Sequence, residues 1–393
     1  MARGQVNERF GVYDFGLSPA EEQRAARLHR ESLIIDTLFQ GPCGYRSFTA
    51  EMLAQSRRPG ASPVDQYFAT VFAPIRAALA GNSNSFRECW EQSGITAGNR
   101  QVGFGLPAYA IAQAQFDKFP WLIKALKAAD IRAAKAKGLR AGFLSTQDSD
   151  GLQDRRLDYL QVAFDLGLRM MGLSYNFQNA VAGGCMDRFE GGVTSFGAEL
   201  IARMNELGII IDMSHSSNRA ALDACKLSKK PVIVSHAPAA GVYDIPRARS
   251  DDAIRAIADS GGVVGVVAVP GLLTSGKEPT IEAMLDHIGY IAKLAGWQHV
   301  AIGSDWPLQL DQQTLREVYP AMAREYLPRD KSRPESSDKR YDQGVSLNSL
   351  AGFDDYRDYP NITRGLVKRG YTDEQIRGIL GENFLRVFEA ACG

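Results

Sequence analysis

Short runs of β-branched and other apolar residues alternate along this chain with longer stretches whose apolar positions fall three and four apart. The short runs, at 33–38, 66–72, 139–144, 168–173, 209–213, 232–235, 263–268 and 299–303, each read as a strand. The stretches between them read as helices. In "TSFGAELIARMNELG", Thr194 or Ser195 caps the start and Gly208 the end; in "SSNRAALDACKLSKK", Ser217 caps and lysines gather at the C-terminal end, where the helix dipole favours them. Near-continuous apolar strands alternating with amphipathic helices predict a parallel sheet covered on its outer face. Eight such units predict an α/β fold of the closed (β/α)8 TIM barrel type. A doubly wound open sheet would want a glycine-rich phosphate turn after its first strand, and "IIDTLFQGPCGY" supplies none.

Two segments exceed ordinary connections. Residues 74–135, with "GNSNSFRECWEQ" and "FDKFPWLIKAL", are expected to be a helical insertion. Residues 306–362, with the charged, proline-punctuated "YLPRDKSRPESSDKRYDQ", are expected to be a surface excursion or lid. Residues 1–30 then form an N-terminal extension packed on a single barrel domain over 31–393.

Composition adds exclusions. Forty-five basic residues balance forty-five acidic ones, so charge makes no case for a nucleic-acid or membrane partner, and it does little to oppose a homodimer. The five cysteines include no CxxC pair, which argues against a disulfide framework. The opening MARGQVNERFGVYDFG has no apolar run of signal-peptide type. A cytoplasmic protein acting on a small-molecule substrate is the expectation.

Of the five histidines, His29 and His287 fall on helices without ligand-spaced partners, and His299 begins a strand. All three are expected to be structural. His215 and His236 each follow a serine at the carboxyl end of a strand, the face on which barrel enzymes do their chemistry. They are candidate metal ligands, or else simple strand caps. Asp305, ending the last strand in "IGSDW", is a candidate third ligand or a helix cap. Arg247 either clamps a substrate carboxylate or pairs with Asp251 or Asp252. Cys185 is a candidate thiolate or a plain buried cysteine. "GGVVGVV" reads as strand seven, not a phosphate loop.

With these residues in view, "TSFGAELIARMNELGIIIDMSHSS", "PVIVSHAPA", "IGSDW" and "KRGYTDEQIRGILGENFLRVFE" strongly resemble the membrane (renal-type) dipeptidases. "LGLRMMGLSYNFQN" and "DQYFATVFAP" fit more loosely, and the resemblance covers most of residues 31–390. It implies an amidohydrolase-like barrel in which two zinc ions activate a water that attacks the amide of a dipeptide. It assigns His215 and His236 as metal ligands after the fifth and sixth strands. Arg247 becomes the substrate-carboxylate arginine, and Asp305 the aspartate near the substrate amine and the activated water.

Three stretches depart from the family. Its Asp-Gly-His-x-Asp at the first strand is here Asp36-Thr37-Leu38-Phe39-Gln40, so leucine and glutamine replace both ligands. The bridging glutamate of the third strand is Gln147, with Asp148 beside it, and a substrate-contacting histidine after the fourth strand is Tyr175. Without a bridging carboxylate, two adjacent cations lack the anions that offset their repulsion. At most one divalent ion is expected, zinc or else iron or manganese, held by His215 and His236 with Asp305 or Asp148 as third ligand. Tyr175, Gln40, Gln147 and Arg247 are expected to line the substrate site.

The expected function is hydrolysis of an amide or related bond. The alternatives are a lyase, decarboxylase or isomerase on the same scaffold, with metal or metal-free, in which Tyr175 serves as acid and His215, His236 or Asp305 takes part in proton transfer, and a catalytically inactive binding barrel.

Overall fold

The computed structural model describes residues 13–39, 48–57, 59–152, 156–276, 278–305, 317 and 350–393. Nine parallel strands form one sheet: β1 (Ile35–Asp36), β2 (Ala97–Gln101), β3 (Leu122–Lys124), β4 (Arg140–Thr146), β5 (Leu168–Gly172), β6 (Ile210–Asp212), β7 (Val232–Ala237), β8 (Val264–Val266) and β9 (Val300–Ile302). Pairing of β1 with both β2 and β9, and of β2 with β4, closes eight of them into a barrel. β3 extends the sheet beside the start of β4. The expected (β/α)8 fold is the one observed.

One of the eight anticipated strands is misplaced. Residues 66–71 lie in a helix, Pro63–Val71, capped by Phe72 and started by Ser62, whose hydroxyl accepts the Asp65 N–H, with Pro63 in its first turn. That start signal outweighs the β-prone run "QYFATVF". The second barrel strand is β2, reading AGNRQ, which no apolar pattern marks. Asn99 and Arg100 are buried, and Asn99 accepts the Phe39 N–H and donates to Ser145 Oγ (2.8 Å). Burial pulls the Arg100 guanidinium down to about 10. The stretch 74–135 therefore carries two strands as well as helices. Of the excursion over 306–362, all but Glu317 and residues 350–362 lies outside the described residues.

The barrel interior is layered. Ile35, Ala97, Phe143, Met170, Ile210, Ile233, Val263 and Ala301 bring one apolar side chain from each strand or its start into a single cluster, closed by Phe384 and Phe388 of the C-terminal helix Asn383–Cys392. Two residues further along, the same positions hold Thr37, Asn99, Ser145, Gly172, Asp212, Ser235, Gly265 and Gly303. The switch from apolar to small and polar residues marks the floor of the mouth. Thr37 Oγ1 donates to the Ser235 carbonyl (2.5 Å) across β8 and β9, which lie between their strands in the ring.

The helix Pro19–Glu31 lies along Pro360–Lys368, with Arg24 and Arg27 paired to Asp373 and Arg364 to Glu22. His29 bonds Thr363 Oγ1 (2.8 Å) and the Ser93 carbonyl (3.0 Å), and His287 bonds the Ala239 N–H and the Leu273 carbonyl. His299 Nδ1 meets the Gly262 carbonyl. All three are structural, as expected. Among the described residues no helix is long and apolar enough to cross a membrane.

Asp36 is fully buried and accepts the N–H groups of Leu38 and Ser304 and the Ser304 hydroxyl. Burial nevertheless pushes its carboxyl up to about 7. A raised folded-state value means the native protein holds this proton after the unfolded chain has released it. The stabilisation is therefore complete below about pH 4 and lost as pH rises through about 7. Thermal melts of the parent and Asp36→Asn proteins across that window should diverge, the parent losing stability and the variant changing less. Parallel profiles would contradict this.

Candidate active site

His215 and His236 reach the mouth by different local devices. His215 lies three residues beyond β6, in a turn where Ser216 N–H bonds the Met213 carbonyl and Arg249 Nη1 holds the Ser216 carbonyl (2.7 Å). His236 lies within β7 at an irregularity, since Val234 pairs with Val264 but Ala237 with Val266. Three residues against two make a bulge, which re-aims a side chain. Ser235 thus turns to the barrel floor and His236 to His215 beyond the end of the adjoining β6. The two imidazoles meet with Nε2 atoms 2.9 Å apart.

Both rings are buried and anchored. His215 Nδ1 lies 2.7 Å from Asn176 Oδ1, and Tyr175 stacks on its face with centroids 4.0 Å apart. His236 Nδ1 lies 2.8 Å from Ser235 Oγ. Burial, and then the nearby Arg247 guanidinium, pull both imidazoles well below their ordinary range. Both therefore stand neutral, the form that ligates metal.

Arg247 is buried against the pair. It donates to the Ser214 carbonyl, and Nη2 lies 3.3 Å from His215 Nε2. Asp251 and Asp252 face Arg255 instead, which removes the ion-pair alternative for Arg247. Asp305 is held by its N–H on the Leu38 carbonyl (2.9 Å), has a left-handed backbone (φ 51°), and brings Oδ2 to 3.9 Å from His236 Nε2. Aspartate, like asparagine, visits that conformation more readily than most residues.

The remaining expected site residues stand apart from this contact. Gln147 donates to Gln101 Oε1 (2.8 Å), and Asp148 accepts the Asp150 N–H (3.0 Å), its carboxyl raised by burial and by Asp150. Gln40 lies outside the described residues. Leu38 and Phe39 are buried, and the Phe39 ring packs edge-on to Trp90 and Tyr356. The end of the first strand supplies apolar bulk where the resembled motif has donors. Cys185 is half-buried, with Sγ 3.8 Å from Asn176 Oδ1 and its thiol raised by burial.

Whether these residues fit a metal follows from the donors present. Two imidazole nitrogens on one tetrahedral ion with bonds of about 2.0–2.1 Å stand roughly 3.3 Å apart, so the 2.9 Å contact would open slightly to take one. Among the described residues no group of three His, Cys, Asp or Glu stands in position to hold an ion, so the Asp305 and Asp148 ligand expectations find no completed site. The donors fit one ion on two nitrogens.

Sequence reasoning missed Asn176, Asp212, Ser235 and Thr37. The available signal was the serine preceding each histidine, since Ser214 and Ser235 tie the two strands together through Asp212.

Comparison with known proteins places this geometry. The chain is 30% identical over 250 residues to an uncharacterized dipeptidase of Schizosaccharomyces pombe, a match covering 60% of this chain and 50% of that protein. It thus spans about half the length of the curated relatives it matches. A crystal structure of an amidohydrolase from Pseudomonas aeruginosa superposes with a TM-score of 0.69 at 26% identity, covering 94% of this chain and 99% of that one. A metallopeptidase from Rhodobacter sphaeroides, bound to a phosphinate mimic of the dipeptide L-Ala-D-Ala, shares the fold at 18% identity and a TM-score of 0.64, covering 92% of this chain and 99% of that one. The family model for membrane dipeptidases matches residues 22–330 and 341–392, and the chain belongs to that family of metal-dependent hydrolases, peptidase family M19.

Proposed function

We propose that this chain hydrolyses an amide or related bond in a small molecule at the barrel mouth, using at most one divalent ion, zinc in the first instance, held by His215 and His236. The meeting of their Nε2 atoms at 2.9 Å carries this reading. An ion there supplies Lewis acidity toward an amide carbonyl and toward water. Asp305, beside His236, is placed to take a proton. Tyr175 walls the site and shields one face of His215. Arg247 offers the positive charge that a substrate carboxylate would meet.

A second reading has one observation in its favour. The Arg247 guanidinium approaches the His215 Nε2 lone pair, where it and an ion are alternatives. In that reading Tyr175, the histidines and Asp305 carry out metal-free acid–base chemistry of lyase or isomerase type.

Turnover of a panel of dipeptides and N-acyl amino acids, before and after metal removal and zinc reloading, separates the two. Activity lost on removal and regained on reloading is expected. Hydrolysis indifferent to chelation would overturn the metal reading.

A further inference from the structure

The hydrogen bonds around the two imidazoles have a direction, and it can be worked out. Asp212 accepts four donors: the N–H groups of Ser214 (3.0 Å) and Ser235 (2.8 Å), and their hydroxyls, each at 2.5 Å. Hydroxyl-to-carboxylate bonds of this length are the charge-assisted kind. Each serine has one proton; Ser235 Oγ faces Asp212 Oδ2 (2.5 Å), Ser214 Oγ (2.8 Å) and His236 Nδ1 (2.8 Å), and the carboxylate, the shortest and the charged acceptor, takes its proton. Ser235 Oγ is left as an acceptor toward His236, so His236 Nδ1 carries the proton and its Nε2 is bare.

His215 resolves in the same sense by different contacts. The Cys185 thiol, 3.8 Å away, is a weak donor to Asn176 Oδ1, in accord with that atom being the amide's acceptor. His215 Nδ1 must then donate to it. Its Nε2 is bare, in accord with the Arg247 Nη2 N–H directed at it. Asn176 is itself held in the left-handed region (φ 62°), which asparagine tolerates better than most residues.

We infer that Asn176 and the Asp212–Ser235 pair are positioning residues that fix both histidines as Nδ1–H tautomers and present two bare Nε2 lone pairs to one point. Two such lone pairs at 2.9 Å repel unless something positive faces them; Arg247 Nη2 stands 3.3 Å from one of them, and a shared cation would meet both. The metal part of this inference rests on the function proposed above; the tautomer part does not.

The test uses Asn176→Gly, which removes the amide while accepting the positive φ, together with Asn176→Asp, which keeps an acceptor, and Ser235→Ala. Zinc affinity of the full-length protein, read by competition with a chromophoric chelator, should fall about 10- to 100-fold in Asn176→Gly and Ser235→Ala and be retained in Asn176→Asp. Affinities of all three within about twofold of the parent would overturn the inference. Nitrogen-15 NMR of the imidazoles in metal-free protein supplies the readout that survives if the chain binds no zinc. The parent should show protonated Nδ1 on both rings, and Asn176→Gly should lose that signature at His215. Protonated Nε2 with bare Nδ1 on either parent ring would refute the assignment outright.

Discussion

Replacing His236 with alanine should abolish zinc retention and lower turnover of any amide substrate about 10³-fold, equivalent to roughly 4 kcal/mol of lost transition-state stabilisation. His215→Ala should behave alike, because an ion held by two nitrogens is not held by one. The double variant should be little worse than either single variant, the pattern of groups that act as a unit. Both rings are buried, so the comparison needs proteins with matching circular dichroism spectra. Additive losses on turnover, with the ion still bound in one single variant, would mean that the histidines work separately.

The largest stability effect should come from Gly303→Ala. A Cβ at Gly303 would fall 1.8 Å from the Ser235 carbonyl oxygen and 2.6 Å from Thr37 Oγ1. The carbonyl is backbone, already engaged by Thr37, and cannot swing aside. Overpacking of this kind costs about 3 kcal/mol, and the strained atoms lie directly beneath His236. Gly289→Ala is the control: it lies inside the helix Ile281–Ala295 with nothing within 4 Å of its Cβ. It should raise stability by about 0.5–1 kcal/mol. Denaturant midpoints of the two variants should move in opposite directions; equal midpoints would show that the floor has more slack than these distances allow.

What could be read from the sequence divides along physical lines. Strands buried on both faces by apolar residues, such as "GIIIDM" and "PVIVS", announce themselves, and with them the histidines at their ends. β2 does not, because AGNRQ is buried through hydrogen bonds made by Asn99 and through an enclosed Arg100, neither of which any hydropathy pattern marks. The helix Pro63–Val71 was read as a strand because aromatic and β-branched content outweighed a Ser-Pro start. The two metal-ligand candidates were legible from position; the bulge that aims His236 was not, since pairing with β8 creates it. Asn176 and Asp212 were invisible for a related reason. Their role is to accept hydrogen bonds, in part from residues that only the folded strands bring near: Ser235 to Asp212 and His215 to Asn176.

The departures from the family pattern also gain a structural meaning. Leu38 is fully buried rather than a surface replacement, Phe39 beside it packs against Trp90 and Tyr356, and Gln147 donates to Gln101. Restoring a ligand at Leu38 would place a polar group at a fully buried position, so a second ion should not return with a single substitution.

The most direct test of the single-ion account is the metal content of purified, untagged protein after zinc loading and removal of excess metal. About one zinc per chain, absent from His215→Ala and His236→Ala, is the predicted result. Two zincs per chain, or one that persists in both variants, would contradict it.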